Sequence, residues 1–548
     1  MHKIRAATIS RNIDWTSKRY LIIEDMEQVR QMLQKLLQGL GAKLIEHATN
    51  GGEAIGHLSH YRYDVVLCDY NLGEAKNGQQ VLEEARERVL VPPSCVWMMV
   101  TADKSAETVM GSAEHQPDGY LLKPISEAGL YSRLTRAVQR RSVFHQIDET
   151  YLAKDYLRAA AMCDAQLQAT PAYSLDLMRM KGTLLVKAGE LDKARVVYEA
   201  VLAERETSWA MSGLAAIRLQ AGEAQAARLL FERVIEANRY YLDAYDQLSV
   251  AYQKLGMNDA ACEVLEKAVQ LSPNSVTRQQ NIGDIALKMG NLPMAEKAYR
   301  KCIAIGEYSV RKTSAPYFGL ARVCGQQENT VEAMQLLATA QRDFPDEPLK
   351  LRAKYAETLV LHESGDYVRA HRSGQDLAAL LEAEKEYPDT ATCLDIANLL
   401  VSVGVRDGAA RVLVYLVRNH DDDTQILKEA QKVFDKARME EGEELIMDAR
   451  KYAADMMNQG LLLWKADRLD EAVAWTRTAR SALPNNLRVL FNSAQVIITH
   501  LRQVGYDAEL AGEARQVLMR IDKVTPNHPR FAQLIEELEE LKSWAGPV

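Results

Sequence analysis

The sequence predicts a doubly wound α/β domain on a five-stranded parallel sheet, followed by an all-α solenoid of stacked helical units. Three observations carry this. Five short apolar runs alternate with helical patterns over 19–141, strand-like runs then cease, and glycines recur at an almost constant interval from Gly189 to Gly290. The runs are RYLIIED (19–25), KLIEHA (43–48), DVVLCDY (64–70), SCVWMMVTA (94–102) and GYLLKPI (119–125). Their β-branched and aromatic content and their length suit strands buried on both faces. Between them, apolar residues at three- and four-residue spacing (Val29, Leu33, Leu36 and Leu40) mark the crossover helices that parallel strands need. In such a sheet, ligands sit at the carboxyl ends of the strands.

Composition narrows the function. The 548 residues are 47% hydrophobic and 26% charged, with net charge −8, so no basic excess points to nucleic acid or an anionic membrane. The seven cysteines are scattered without a C-x-x-C pair, as expected of reduced thiols in a cytoplasmic protein. No apolar run is long enough to span a bilayer, and the N-terminus lacks a signal-peptide core. Arg140-Arg141 is too short for a nucleic-acid patch. His420-Asp421-Asp422-Asp423 lacks the glycine of a calcium loop and is expected to be a solvated turn, and His57 and His60 to lie on an exposed helix face.

Past residue 141, Gly189, Gly222, Gly256 and Gly290 each end a helical pattern. Five residues after each comes Ala194, Ala227, Ala261 or Ala295, and four further on Tyr198, Phe231, Leu265 or Tyr299. Seven residues before each stands Gly182, Ala215, Ser249 or Gly283. Small residues let facing helices approach, and the large residue fills the notch between units. This pattern resembles the tetratricopeptide repeat, a helix–turn–helix stacked on its neighbours. Weaker copies extend it upstream (Asp155, Ala160, Pro171) and downstream (Ala321, Ala333, Gly365, Gly404, Gly460, Pro484), degenerate over 346–452. The expected division is an extension (1–18), the α/β domain (19–141), nine or ten repeats (142–526) and a capping helix and tail (527–548).

At the predicted strand ends stand Glu24-Asp25, Asp69, Thr101 and Lys123-Pro124. Adjacent carboxylates repel unless a cation lies among them, and an all-oxygen site suits Mg²⁺. A carboxylate nucleophile, Mg²⁺ and an ammonium are what phosphoryl transfer to an aspartate needs. With the DYNLG (69–73) and YLLKP (120–124) segments, residues 19–141 resemble a response-regulator receiver domain of two-component signalling, CheY-like in kind. The resemblance implies that Asp69 accepts a phosphoryl group from a histidine kinase or histidine phosphotransfer protein. It implies Mg²⁺ on Asp25, Asp69 and the Asn71 carbonyl, with Glu24 reaching it through water. Thr101 and Lys123 would contact the phosphoryl oxygens, and Tyr120 would be the switch aromatic. Many family members carry Asp-Asp where this chain has Glu24-Asp25. Asn71 and Asp103 stand where the family tunes dephosphorylation.

Thr101 drawn toward the phosphoryl group would vacate space for Tyr120, repacking the face formed by the helix after strand four, strand five and the helix after it. Receivers often pair through that face, which would give a homodimer unless the array covers it. With one glycine (Gly129) and no proline from 127 to 169, the helix starting near 126 is expected to run unbroken into the repeats. In repeat phase, the concave groove would present Asp176, Arg179, Trp209, Asp243, Asp246, Gln253, Gln280 and Asp284, suiting a protein or peptide with some basic character. Thr183 stands where some repeat proteins place an Asn that clamps a peptide's carboxylate. The expected function is a non-enzymatic, phosphorylation-switched adaptor. Two alternatives are a scaffold whose receiver only docks or sequesters a kinase or phosphotransfer protein, and an enzyme hidden in 346–452.

Overall fold

The computed structural model describes residues 13–73, 76–92, 94–102, 117–383, 387–525 and 528–544. The helix expected after strand four, Asp103, most of the N-terminal extension and the last four residues lie outside them. All five strands form: β1 (Arg19–Ile23), β2 (Leu44–Ala48), β3 (Val65–Asp69), β4 (Val96–Thr101) and β5 (Gly119–Leu122). They pair in parallel in the order β2-β1-β3-β4-β5. Helices α1 (Glu27–Gly39), α2 (Gly51–His60) and α3 (Gly78–Glu87) cross between them. Because side chains alternate along a strand, Tyr20 and Ile22 join Leu33 and Leu37 on one face. Leu21 and Ile23 join Leu58, Val81 and Leu82 on the other. Asn50 caps α2, and Asn77 and Gln80 form a capping box at α3.

A single helix, Glu127–Leu152, leaves the sheet and enters the repeats without a break. At 1.5 Å per residue it is roughly 39 Å long. Its first half places Leu130, Leu134 and Ala137 in the sheet's core. Its second half places Phe144 and Ile147 among Ala159, Cys163 and Leu177 of the first repeats. One rigid element therefore serves two cores.

Helical pairs follow from Tyr156–Ala169 to Pro529–Trp544. The chain forms two compact units, 1–323 and 324–548. The spaced glycines do what their positions require: Gly189, Gly222, Gly256 and Gly290 all have φ between 75° and 83°. A Cβ at any of them would meet nothing within 4 Å, so backbone conformation and not crowding selects glycine. A Cβ on Gly182 or Gly283 would instead come within 2.5 or 2.6 Å of the Tyr198 or Tyr299 ring, which fills the notch between units. Gly222→Ala is expected to cost about 1 kcal/mol or more through backbone strain, and Gly283→Ala about 1–3 kcal/mol through overpacking. Thermal unfolding of the full chain reads both; equal stability of Gly283→Ala and wild type would refute the notch.

The stretch 420–452, barely legible as sequence, contains a helix Thr424–Lys436 and most of the first half of a long helix, Gly442–Lys465. The acidic turn before it is solvated only in part: Asp422 and Asp423 are exposed, as expected, but Asp421 is not. Asp421 is buried and accepts from Asn486 Nδ2 (2.7 Å) and Arg488 Nη1 (3.1 Å). Asp423 caps the next helix by accepting from the Gln425 and Ile426 amides. Asp421 and Asp423 thus serve helix packing and capping.

Candidate functional site

The residues singled out at the strand ends converge. Glu24 follows β1 and is fully buried; Asp69 closes β3 and Thr101 closes β4, both nearly buried. Asp25 is exposed at the rim, as is Asn71 in the loop after β3. Lys123, just past β5, is held in register by its amide, which donates to the Thr101 carbonyl at 2.8 Å. Its Nζ lies 2.8 Å from Glu24 Oε2 and 3.2 Å from Asp69 Oδ2, bridging the two buried carboxylates. Arg30 donates to the carbonyls of Glu24 and Asp25, fixing the turn that presents them.

Burial pushes both Glu24 and Asp69 above the ordinary carboxylate range, against the opposing pull of Lys123. Burial alone would lower Lys123, but its bond to Glu24 and the charge of Asp69 outweigh that and raise it. One oxygen from each of Glu24, Asp25 and Asp69 lies within 4.8 Å of the others. Three acids against one ammonium leave an oxygen-rich, net-negative cluster, a donor set that fits a hard divalent cation. The cluster can hold such an ion beside the Asp69 carboxylate.

Tyr120 on β5 is half-buried against the core under α2 and α3. It opens onto a cavity of about 880 Å³, whose walls include Arg86, Arg140 and Arg141 on one side and Asp176, Arg179 and Asp243 of the repeats on the other. Burial raises the Asp243 carboxyl, with Asp246 adding to it. Other residues expected to line a groove are engaged locally. Arg140 Nε bonds Asp176 at 3.3 Å, Arg278 clamps Asp246 at 2.7 and 2.8 Å, and the Tyr299 hydroxyl donates to Asp284 at 2.7 Å. Trp209 packs edge-on against Tyr198, Gln280 is half-buried and Gln253 is exposed. Of the two histidines expected on an exposed face, His60 is exposed and His57 is half-buried, its Nδ1 3.1 Å from the Tyr63 hydroxyl.

Sequence reasoning missed Arg141. Its guanidinium bonds both oxygens of Asp118, which is nearly buried, at 2.8 and 3.2 Å, and reaches Asp148 at 3.4 Å. The adjacent Arg140 made the pair read as surface charge, and only its position mid-way along the connecting helix could have signalled otherwise.

Among described residues, no helix is long and apolar enough to cross a membrane. Residues 20–135 match the family model of the response regulator receiver domain, and residues 242–275 and 277–305 match that of the tetratricopeptide repeat. The chemotaxis protein CheY-3 of Vibrio cholerae is 28% identical over 120 residues, covering 22% of this chain and 91% of that protein. A cyclic di-GMP phosphodiesterase of Thermotoga maritima is 33% identical over 132 residues, covering 24% of this chain and 34% of that protein. A tetratricopeptide repeat protein structure from Parabacteroides merdae covers 48% of this chain and 97% of its own at 16% identity, with a TM-score of 0.32. The chain thus carries a response regulator receiver domain at residues 20–135 and tetratricopeptide repeats that include residues 242–305.

Proposed function

We propose that this chain is a phosphorylation-switched, non-catalytic adaptor of the cytoplasm, with a receiver over 19–141 and repeats over 142–526 capped by 527–548. The observation that carries it is the bridge of Lys123 between buried Glu24 and Asp69, next to Thr101. Asp69 attacks the phosphorus of a phosphohistidine on a kinase or phosphotransfer protein. A P–O bond forms, the P–N bond breaks, and the imidazole leaves with its electron pair and takes up a proton. Asp25, Asp69 and the Asn71 carbonyl would hold Mg²⁺, with Glu24 reaching it through water, and the ion would supply positive charge to offset the oxyanions of the transferring group. Lys123 holds a fixed positive charge where those oxygens arrive, and the Thr101 hydroxyl donates to one of them.

The unbroken helix Glu127–Leu152 supports output through the array, because a shift at its receiver end must be felt at its repeat end. The array's groove takes a protein or peptide partner. Incubation with labelled acetyl phosphate and Mg²⁺ is expected to label wild type and not Asp69→Asn. Absence of label in wild type would remove the proposal. Partners captured equally by wild type with and without Mg²⁺–beryllofluoride would leave a scaffold that only docks its kinase.

A further inference from the structure

The repeat period lengthens at one place. Turn residues with positive φ keep an even interval through Gly222, Gly256 and Gly290, but the next of them, Glu328, comes later than that interval allows. The extra residues lie in the connection between helices Leu292–Gly306 and Ala315–Gln326, which spans 307–314. The preceding connections, 205–207, 238–241 and 272–275, are half that length or less. The longer loop is folded against the receiver. Arg311 Nε lies 2.8 Å from Glu83 Oε1, and its Nη2 3.7 Å from Glu87 Oε2 one turn along α3. The Ser309 hydroxyl donates to Glu83 Oε2 at 3.2 Å and accepts from the Arg311 amide at 3.1 Å. Gln80, whose side-chain oxygen closes the α3 capping box, gives its amide nitrogen to the Ile305 carbonyl at 3.3 Å. Gln79, Glu83 and Glu84, polar residues of α3, are buried.

The other end of this contact is Asp69. A Cβ on Gly78, the first residue of α3, would lie 2.0 Å from the Asp69 carbonyl oxygen, so the helix starts directly on the acceptor's backbone. The Gly78 amide donates to the Tyr70 carbonyl at 2.9 Å, and the Tyr70 hydroxyl donates to Gln79 at 3.3 Å. Little slack therefore separates Asp69 from the two turns of α3 that hold the loop.

We propose that the inserted loop 307–314 is a docking surface whose partner is this chain's own receiver, and that it reads the state of Asp69 through α3. The second clause rests on the proposed phosphorylation of Asp69; the first does not. The array then senses the receiver at two places, along the connecting helix and at α3. By linkage, if the state of Asp69 alters the contact, the contact alters the affinity of Asp69's ligands by the same factor.

Two measurements on the full chain test this: amide exchange over 306–312, and beryllofluoride affinity in excess Mg²⁺. Glu83→Arg and Arg311→Glu are each expected to speed exchange at least tenfold, and the double exchange of charge to bring it back within threefold of wild type. Unchanged exchange in both single variants overturns the docking. Beryllofluoride affinity is expected to change at least threefold in Arg311→Glu and to recover in the double variant. Affinity unchanged in Arg311→Glu, while wild type binds and Asp69→Asn does not, overturns the reading of Asp69 through α3 and leaves phosphorylation intact. Wild type that fails to bind beryllofluoride overturns that coupling together with the phosphorylation, while the exchange data still decide the docking.

Discussion

Replacing Lys123 with methionine is expected to destabilise the divalent-free receiver by about 3–5 kcal/mol, the usual cost of leaving buried charge without its partner. Methionine keeps most of the volume, so the loss isolates the ammonium's role. Glu24 is fully buried, and Lys123 lies 2.8 Å from it. Exchange protection of β1, β3 and β5 in the full chain measures the effect. Mg²⁺ is expected to return part of it by replacing the lost positive charge.

The pH dependence of the divalent-free receiver has an unusual sign. Burial holds Glu24 and Asp69 above the ordinary carboxylate range in the folded state. Between the ordinary range and the raised values, the native state binds more protons than the unfolded chain. Stability from this pair therefore falls as pH rises through that window and is flat above it. In Lys123→Met the window extends to higher pH, because the group that opposes burial is gone. A variant as stable as wild type, with no slope on the alkaline side of the ordinary carboxylate range, would mean that the pocket is wetter than described.

How much of this was legible follows from what each signal reports. The five strands were visible because strands buried on both faces are continuous apolar runs, and the pocket because its residues end those runs. The repeats at Gly189 to Gly290 were visible because their αL turns use glycine. Lys154, Glu328, Arg438 and Asp467 also have positive φ, between 53° and 62°, in a non-glycine residue. A search keyed to glycine passes over them, which is one reason why the period dissolves in the sequence. Packing holds those turns against local preference. Ser309 and Arg311 were invisible for a different reason: their partners on α3 lie in a distant stretch of the chain, and no periodicity reports a contact between two kinds of fold.

Arg141→Met and Arg140→Met should differ sharply, although the two residues are adjacent. Arg141 has its side chain 21% exposed, between Asp118 at 2% and Asp148 at 14%. Asp118 also accepts from the Trp97 amide at 2.8 Å, at the start of β4. Removing the guanidinium strands two buried carboxylates at the junction of sheet, connecting helix and first repeat, at about 3–5 kcal/mol. Arg140 pairs with Asp176 where both side chains are nearly half exposed, and its loss should cost at most about 1 kcal/mol. Burial already raises the Asp148 carboxyl while Arg141 opposes it, so in Arg141→Met it should titrate higher still and recover part of the loss on acidification. Exchange along 127–152 locates the damage. In Arg141→Met protection should fall around residues 137–148, and in Arg140→Met it should stay near wild type. If the two variants behave alike, the connecting helix is held by its apolar face alone. Receiver and array would then be joined by packing at Leu134, Ala137, Phe144 and Ile147, without a charged joint between them.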